Sequence, residues 1–489
     1  MSTISATGFC RVTVVAPDSR IDVALPDDLP VADLRPDILR LSGQVQSEEE
    51  PTGFHLVRRD GSVLDPALSL SAQRVLDGEL IALRAFAESL PPAVHDDVAD
   101  AIATAVVRDR RRWSDDLMRA VGLTGGAVLL VMMCFVLWWA EPVRHDMHSM
   151  PGVVAGVIGT VLIAFAAVRA RVYRDRAAAV ALGLAALPHL LIAGSGIVAP
   201  DAGHGPGRLQ FLVGCATVLL ASAILVAVLP TGDAPFVASA FLAAAGTLAT
   251  YGAIATDAPP RAVASVAAVA AVGLVGFLPG WSARFARLPI GFGQPEPSAE
   301  VMERYGDRRA DPEPPIDYEA VAAQARRGHE LLLGLVGGCA ATVVGATAVM
   351  GFSHSAPAQV LALTAGVAAL LRARLFRYTT QVASLVVAGI LAIALLILGL
   401  ALNPDTSLLI HLAHGDHSPL DLHTLWLSAA IAAGAVLMVA IGLIVPRKGV
   451  SPFWGRSLDL TEGVVLLSLV PLCLAVLKVY SSVRGLSSD

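Results

Sequence analysis

Charge is in short supply in this sequence: Asp, Glu, Lys and Arg make up 16% of its 489 residues, against 55% hydrophobic residues and a mean hydropathy of +0.66. Soluble domains carry about 25% charged residues, so a wholly water-soluble chain is excluded. Cysteine is scarce as well. Cys10, Cys134, Cys215, Cys339 and Cys473 stand far apart, four of them inside apolar runs, which leaves no disulfide framework and no zinc-ligand spacing. No Walker loop, zincin motif, nucleophile elbow or Rossmann fingerprint occurs, so neither enzyme activity, cofactor nor metal is expected. An unbroken apolar leader is missing too. The opening stretch alternates apolar with polar and carries Arg11, Asp18, Arg20 and Asp22, and the N-terminal domain is expected to stay in the cytoplasm. The net charge of −6 is small for this length and points to no class of partner.

The apolar residues that are present are unevenly spread. Met1 to Arg119 reads as a soluble sequence and the remainder does not. Cys10 to Val15 alternates like a strand, Pro17-Asp18-Ser19 is a turn, and Arg20 to Leu25 alternates again, predicting a hairpin. Val31, Leu34, Ile38, Leu39 and Leu41 then recur at helical spacing until Ser42-Gly43 stops the run. Phe54 to Arg58 reads as a third strand, Arg59-Asp60-Gly61 as a tight turn, Ser69 to Gly78 as a short strand segment, and Leu80 to Arg84 as the closing strand. That order, with Arg59-Asp60-Gly61-Ser62-Val63-Leu64 and Asp77-Gly78-Glu79, resembles the ubiquitin-like fold. The chain continues past Phe86 without a Gly-Gly terminus, so a docking module is expected and conjugation is not. Arg58, Arg59 and Asp60 are the candidate partner-binding surface.

Between Glu88 and Arg119, Val94, Val98, Ile102, Ala105 and Val106 recur at helical spacing, with Asp96, Asp97 and Asp100 early and Arg108, Arg110, Arg111 and Arg112 late. This predicts an amphipathic helix whose charges suit its dipole. The four arginines and Trp113 form a candidate anchor to anionic lipid or a neighbouring subunit; a nucleic-acid role is not favoured.

A hydrocarbon core of about 30 Å takes about twenty apolar residues as helix. Such runs occur at 120–140, 151–168, 177–198, 209–229, 234–255 and 261–279, and again at 331–351, 356–371, 379–402, 424–445 and 460–480, giving about eleven spans. The prediction is an α+β ubiquitin-like domain at 1–88, a basic linker helix at 89–119, helices one to six at 120–279, a Pro-rich cytoplasmic loop at 280–328 holding a helix from Tyr318 to Arg327, and helices seven to eleven with an external tail at 329–489. With the N-terminus inside, Arg169, Arg171, Arg174, Arg176, Arg372, Arg374, Arg377, Arg447, Lys448 and Arg456 all fall on the cytoplasmic face, as the positive-inside rule requires. The outer face then receives Arg144, Arg208, Arg261, Lys478 and Arg484.

Ionisable residues are nearly absent from the spans themselves. Ion-coupled carriers keep such groups at mid-membrane, so a secondary transporter or permease with a regulatory ubiquitin-like domain is the second reading, not the first. His189 beside Pro188 is the exception, read as a neutral imidazole on a backbone carbonyl freed by the proline, with a proton relay as the alternative. In the outer loop Asn403 to His423, the spacing of His411, His414 and His417 raises metal binding, though solvated polar surface is the plainer reading. Small residues such as Gly152-Val153-Val154-Ala155-Gly156 favour close helix packing and oligomers.

A ubiquitin-like domain, a basic linker, about eleven spans and a long loop after the sixth resemble EccD, a membrane subunit of the actinobacterial type VII (ESX) secretion system. Softer cues are Trp138-Trp139 ending the first span and Val445-Pro446 followed by Ser451-Pro452-Phe453. The resemblance implies a bacterial inner-membrane scaffold paired as a homodimer, enclosing a lipid-lined space between the two bundles. It further implies an EccC-type ATPase as energy source and EccB-like and EccE-like subunits as partners.

Overall fold

The computed structural model describes residues 8–17, 19–44, 53–85, 98, 114–140, 143–201, 204–229, 232–288, 318–448 and 451–480. The chain divides into two compact units, Met1–Trp113 and Ser114–Asp489. Most of the predicted linker helix, including Arg108, Arg110, Arg111, Arg112 and Trp113, lies outside the described residues, as do most of the Pro-rich loop and the C-terminal tail; the last residues of that linker, from Asp115, belong to the first helix of the second unit.

In the first unit β1 (Phe9–Val15) and β2 (Arg20–Pro26) form the hairpin, α1 (Val31–Leu41) follows, and β3 (Phe54–Arg58) and β4 (Leu80–Ala85) complete a sheet of order β2-β1-β4-β3. β1 pairs β4 in parallel while the other pairs are antiparallel, the ubiquitin-like arrangement. Alternation puts Val12, Val14, Ile81 and Leu83 on the covered face, and Val31, Leu34 and Ile38 of α1 close over them. Leu41, expected on that stripe, is exposed. It is the last helical residue, and the chain turns at Gly43 with a left-handed φ of +71°, which glycine adopts without a Cβ clash. Of the short strand predicted at Ser69 to Gly78 only an isolated bridge, Pro30 to Ser69, is formed, and turns occupy most of the rest; a second isolated bridge, Val57 to Val63, lies before it.

The second unit is helical: α2 (Asp115–Trp138), α3 (Met150–Arg171), α4 (Arg176–Ser195), α5 (Arg208–Val228), α6 (Ala234–Thr256), α7 (Pro260–Leu274), α8 (Leu278–Phe285), α9 (Tyr318–Gly351), α10 (Ala356–Arg372), α11 (Thr379–Leu402), α12 (Thr406–Ala413), α13 (Ser418–Lys448) and α14 (Pro452–Val476). Among the described residues ten helices are long and apolar enough to cross a bilayer, or eleven counting α7 and α8, which are bent by 70° to each other, as one broken span. The chain is a multi-pass membrane protein.

Two predicted boundaries change. The sixth span breaks at Val275 to Phe277 because Pro279 opens α8, where it has no N–H to give and its ring opposes the carbonyl four residues back. The helix predicted from Tyr318 to Arg327 and the following span are one element, α9, of 34 residues, since nothing between Arg327 and Leu331 interrupts the helical chain. The outer loop also gains structure: α12 covers His411, and α13 begins at Ser418, whose N–H donates to Asp416 Oδ1 at 3.1 Å.

α9 lies against α6, α7, α10 and α11 and organises the bundle, whereas the main contacts of α13 among the described residues are with α11 and α12. Crossings are built on small residues, as packing in lipid requires. A Cβ on Gly214 of α5 would lie 2.9 Å from the Leu191 carbonyl of α4, and one on Gly156 of α3 would lie 3.4 Å from Ala193 Cβ.

Candidate functional site

The loop after β3 separates the residues predicted to bind a partner. Arg58, at the strand end, is half-buried, with Nε 3.3 Å from Glu79 Oε1 and a terminal nitrogen donating to the Gln73 carbonyl; it ties the turns together. Arg59 and Asp60 are exposed in the turn that Gly61 permits with φ +90°. Asp60 accepts from the Ser62 hydroxyl at 2.7 Å and from its N–H at 2.9 Å, which holds its carboxyl below the ordinary value.

In the bundle, successive spans alternate in direction, and the arginines at one end meet acidic residues from other helices. Arg119 of α2 and Arg169 of α3 both bond Asp175, which also caps α4 by accepting from Ala178 N–H at 3.1 Å. Arg169 further lies over the Tyr173 ring at 5.0 Å. Arg176 of α4 lies 3.7 Å from Glu330 of α9, which accepts the Gly232 N–H ahead of α6 at 3.0 Å. One turn earlier on α9, Arg327 reaches Asp233 at 2.5 Å, and His329 packs edge-on against Tyr378 at the start of α11. Arg372 of α10 lies 3.6 Å from Glu462 of α14, and Arg374 lies 2.9 Å from Asp459. The result is a belt of ion pairs around one end, joining elements from both halves of the chain.

The belt's acidic members went unpredicted. Asp175, Asp233, Glu330, Asp459 and Glu462 stand at or near the ends of apolar runs; an acid among clustered arginines was an available signal for Asp175, but Asp233 has no basic residue near it in sequence. Its cations draw the acids inward: Asp233 is fully buried and the Asp175 side chain is 7% exposed. Burial opposes the charge on Asp175, but the Ala178 N–H and the two guanidiniums outweigh it and hold its carboxyl below the ordinary value. Its contribution to stability is therefore present above the unfolded pKa and is lost as pH falls through the lowered folded one. Asp175→Asn, which keeps the cap, is expected to cost about 1–2 kcal/mol at pH 7. Thermal melts against pH should show that deficit closing below about pH 4; a deficit unchanged at acid pH would refute the charge assignment.

The opposite end carries fewer such contacts. Arg208 pairs with Asp257 at 2.8 Å, and His145, at φ +48°, stacks on Trp138 at 4.9 Å. His411 lies 3.5 Å from Asp416, while His414 bonds the Ile410 carbonyl at 2.7 Å. The three histidines do not converge: among the described residues no group of three or more His, Cys, Asp or Glu is placed to hold a metal. His189 is fully buried with Nδ1 2.8 Å from the Ala185 carbonyl. The bond is of the expected type, but Pro188 frees the carbonyl of Leu184, four residues before it, and not that of Ala185.

The chain is similar to known proteins along nearly its whole length. The model of the family described as EccD-like transmembrane domain matches residues 118–486. That of the WXG100 protein secretion system (Wss) protein YukD matches residues 9–83. The ESX-4 secretion system protein eccD4 of Mycobacterium tuberculosis, in strains CDC 1551 / Oshkosh and ATCC 25618 / H37Rv alike, is 28% identical over 99% of this chain and 98% of the relative. Among solved structures, protomer 1 of the ESX-3 core complex matches with TM-score 0.60 at 19% identity, covering 97% of this chain and 100% of the other. The MycP5-free ESX-5 inner membrane complex in State II matches with TM-score 0.51 at 21% identity, over 87% and 99%. At those identities the structures speak for the fold.

Proposed function

The chain belongs to the EccD family, and on that premise we propose that it is an integral membrane scaffold subunit of a type VII (ESX) protein secretion complex, building its channel while a partner ATPase supplies the energy. The observation that carries this reading is the pairing, in one chain and in one order, of a ubiquitin-like unit with an EccD-like bundle, both within the 99% of the chain aligned to an ESX-4 secretion protein. The bundle's chemistry supports it. Its belt of charges joins helix to helix, and the core of α9, α10 and α11 is built of residues such as Val336, Leu361 and Leu385, which suits a support more than a carrier of ions.

On this reading the protein resides in a bacterial inner membrane with the N-terminus and the arginine belt cytoplasmic and the C-terminus external. A second copy of the chain, an EccC-type ATPase and EccB-like and EccE-like subunits are the partners. The exposed apolar sides of α2 and α13 support contact with lipid and a second copy. Arg59 and Asp60, with Arg58 as their brace, are the proposed docking turn of the ubiquitin-like domain. The test is capture of a tagged chain from membranes in mild detergent, followed by mass spectrometry. Recovery of an ATPase-containing assembly is expected; a lone monomer that moves a solute would overturn the reading in favour of a transporter.

The proposed anchor makes its own prediction. Each basic residue near an anionic surface contributes about 1 kcal/mol, so changing Arg108, Arg110, Arg111 and Arg112 to Glu should cut the yield of assembled complex by about tenfold or more while the chain still reaches the membrane. Equal yields at equal expression would remove the anchor role.

A further inference from the structure

α6 and α7 are consecutive and joined by a short link, yet they do not close on each other. A cavity of about 640 Å³ runs beside them, and a second of about 520 Å³ shares Ala245, Ala249, Val263, Ala267 and Thr342 with it. The gap therefore passes between the two helices, with α9 as its floor. The walls contributed by α6 and α7 are mostly alanine and glycine, among them Ala245, Gly246, Ala249, Ala264 and Ala267, so the space is encoded in the sequence and is no consequence of one misfitting residue. The hydroxyls along it do not face it as donors in search of a partner: Ser239 donates to the Pro235 carbonyl at 2.9 Å, Thr250 to Gly246 at 2.7 Å and Thr342 to Gly338 at 2.8 Å. What the slot presents is hydrocarbon. Its rim, at Phe211, Leu242 and Val349, is exposed on the outside of the bundle.

From Ser239 to Ala253 the slot follows α6 for about 21 Å at 1.5 Å per residue, against about 15 Å for the hydrocarbon of one leaflet. An open void of this size next to a bilayer forfeits the dispersion contacts of its whole lining, and acyl chains are the molecules at that depth. At the end of the bundle opposite the ion-pair belt the slot meets Arg208, whose Nη1 donates to the Ala253 carbonyl and to Asp257 Oδ1, both at 2.8 Å. Asp257 is 95% exposed and can yield to another anion. Among the described residues the remaining guanidinium nitrogens have no hydrogen-bond partner, and they lie at the N-terminal end of α5, beside the mouth of the slot.

We propose that the slot between α6 and α7 holds one acyl chain of an anionic phospholipid, with the lipid phosphate on Arg208. This site lies within a single bundle, and the inference goes beyond the scaffold reading without depending on it. The full chain, purified in mild detergent, would be incubated with phosphatidylglycerol or phosphatidylcholine and weighed intact by native mass spectrometry. One retained phosphatidylglycerol is expected, with about tenfold weaker retention in Ala249→Phe or Ala267→Phe, which fill the slot. Arg208→Gln should bind the two lipids equally. In parallel, a phosphatidylglycerol with a photoreactive acyl chain should label peptides of α6 and α7 in the unaltered protein, a readout that stands even if a filled variant fails to fold. Labelling elsewhere, retention unchanged by filling, capture of a protein segment in the slot instead, or an undiminished preference for phosphatidylglycerol in Arg208→Gln would each overturn the proposal.

Discussion

Arg327→Ala is expected to destabilise the helix bundle by about 3–5 kcal/mol, the cost of leaving a buried charge without its counter-ion. Asp233 is completely buried at the head of α6, its side chain makes no capping bond to the helix, and among the described residues Oδ1 has no hydrogen-bond partner. Arg327, at 2.5 Å from Oδ2, is thus the chief compensation for a full negative charge. The pair also joins α9 to α6 and so the second group of spans to the first. If the penalty belongs to the stranded charge and not to lost packing, Asp233→Asn combined with Arg327→Gln should recover most of it. Arg374→Ala is the internal comparison: its partner Asp459 is 70% exposed, and such a pair contributes about 0–1 kcal/mol. The readout is the temperature at which each variant loses monodispersity in a fixed detergent. Equal losses for Arg327→Ala and Arg374→Ala, or a double variant no better than the single one, would show that the buried pair is not what holds α9 to α6.

Much of the architecture was legible because the bilayer imposes a length. Ten of the eleven predicted spans fall on one long helix each and the sixth on the bent pair α7 and α8, since about 30 Å of hydrocarbon sets one scale for all of them. The sheet was legible for a similar reason: alternation over Cys10 to Val15 and Leu80 to Arg84 states which side chains face α1. What could not be read is tertiary. The sequence near Arg327 tells the sign of a charge and not that Asp233, 94 residues earlier, waits for it. Arg58 looked like free surface beside a turn, but the strand end carries it to Glu79 and Gln73. The slot between α6 and α7 is written as alanines that fail to fill a space, and an absence of volume carries no periodic signal. The break in the sixth span is intermediate. Pro279 was visible, but whether a proline kinks a span or ends it depends on what satisfies the freed carbonyls.

Gly399→Leu is expected to prevent α9 and α11 from crossing, with a larger loss of folded protein than any single surface change. A Cβ at Gly399 would fall on the Gly351 carbonyl and lie 2.9 Å from Phe352 N, and a Cβ at Gly351 would meet Leu396 Cα at 3.0 Å. The obstacles are backbone atoms on both sides, so no rotamer change relieves them and the helices themselves must separate. Even Gly399→Ala should therefore cost about 1–3 kcal/mol, although alanine is the better helix former by about 1 kcal/mol. Gly434 on α13 separates the two effects, because nothing lies within 4 Å of a Cβ placed there. Gly434→Ala should leave the isolated chain as stable as before or slightly more so, while Gly399→Ala lowers its melting point in detergent. In lipid the hydrophobic effect gives helices no reason to associate, and close packing supplies it. A Gly399→Ala protein that melts no lower than Gly434→Ala would mean that the two backbones do not touch at this crossing, and that α9 is held by its ion pairs instead.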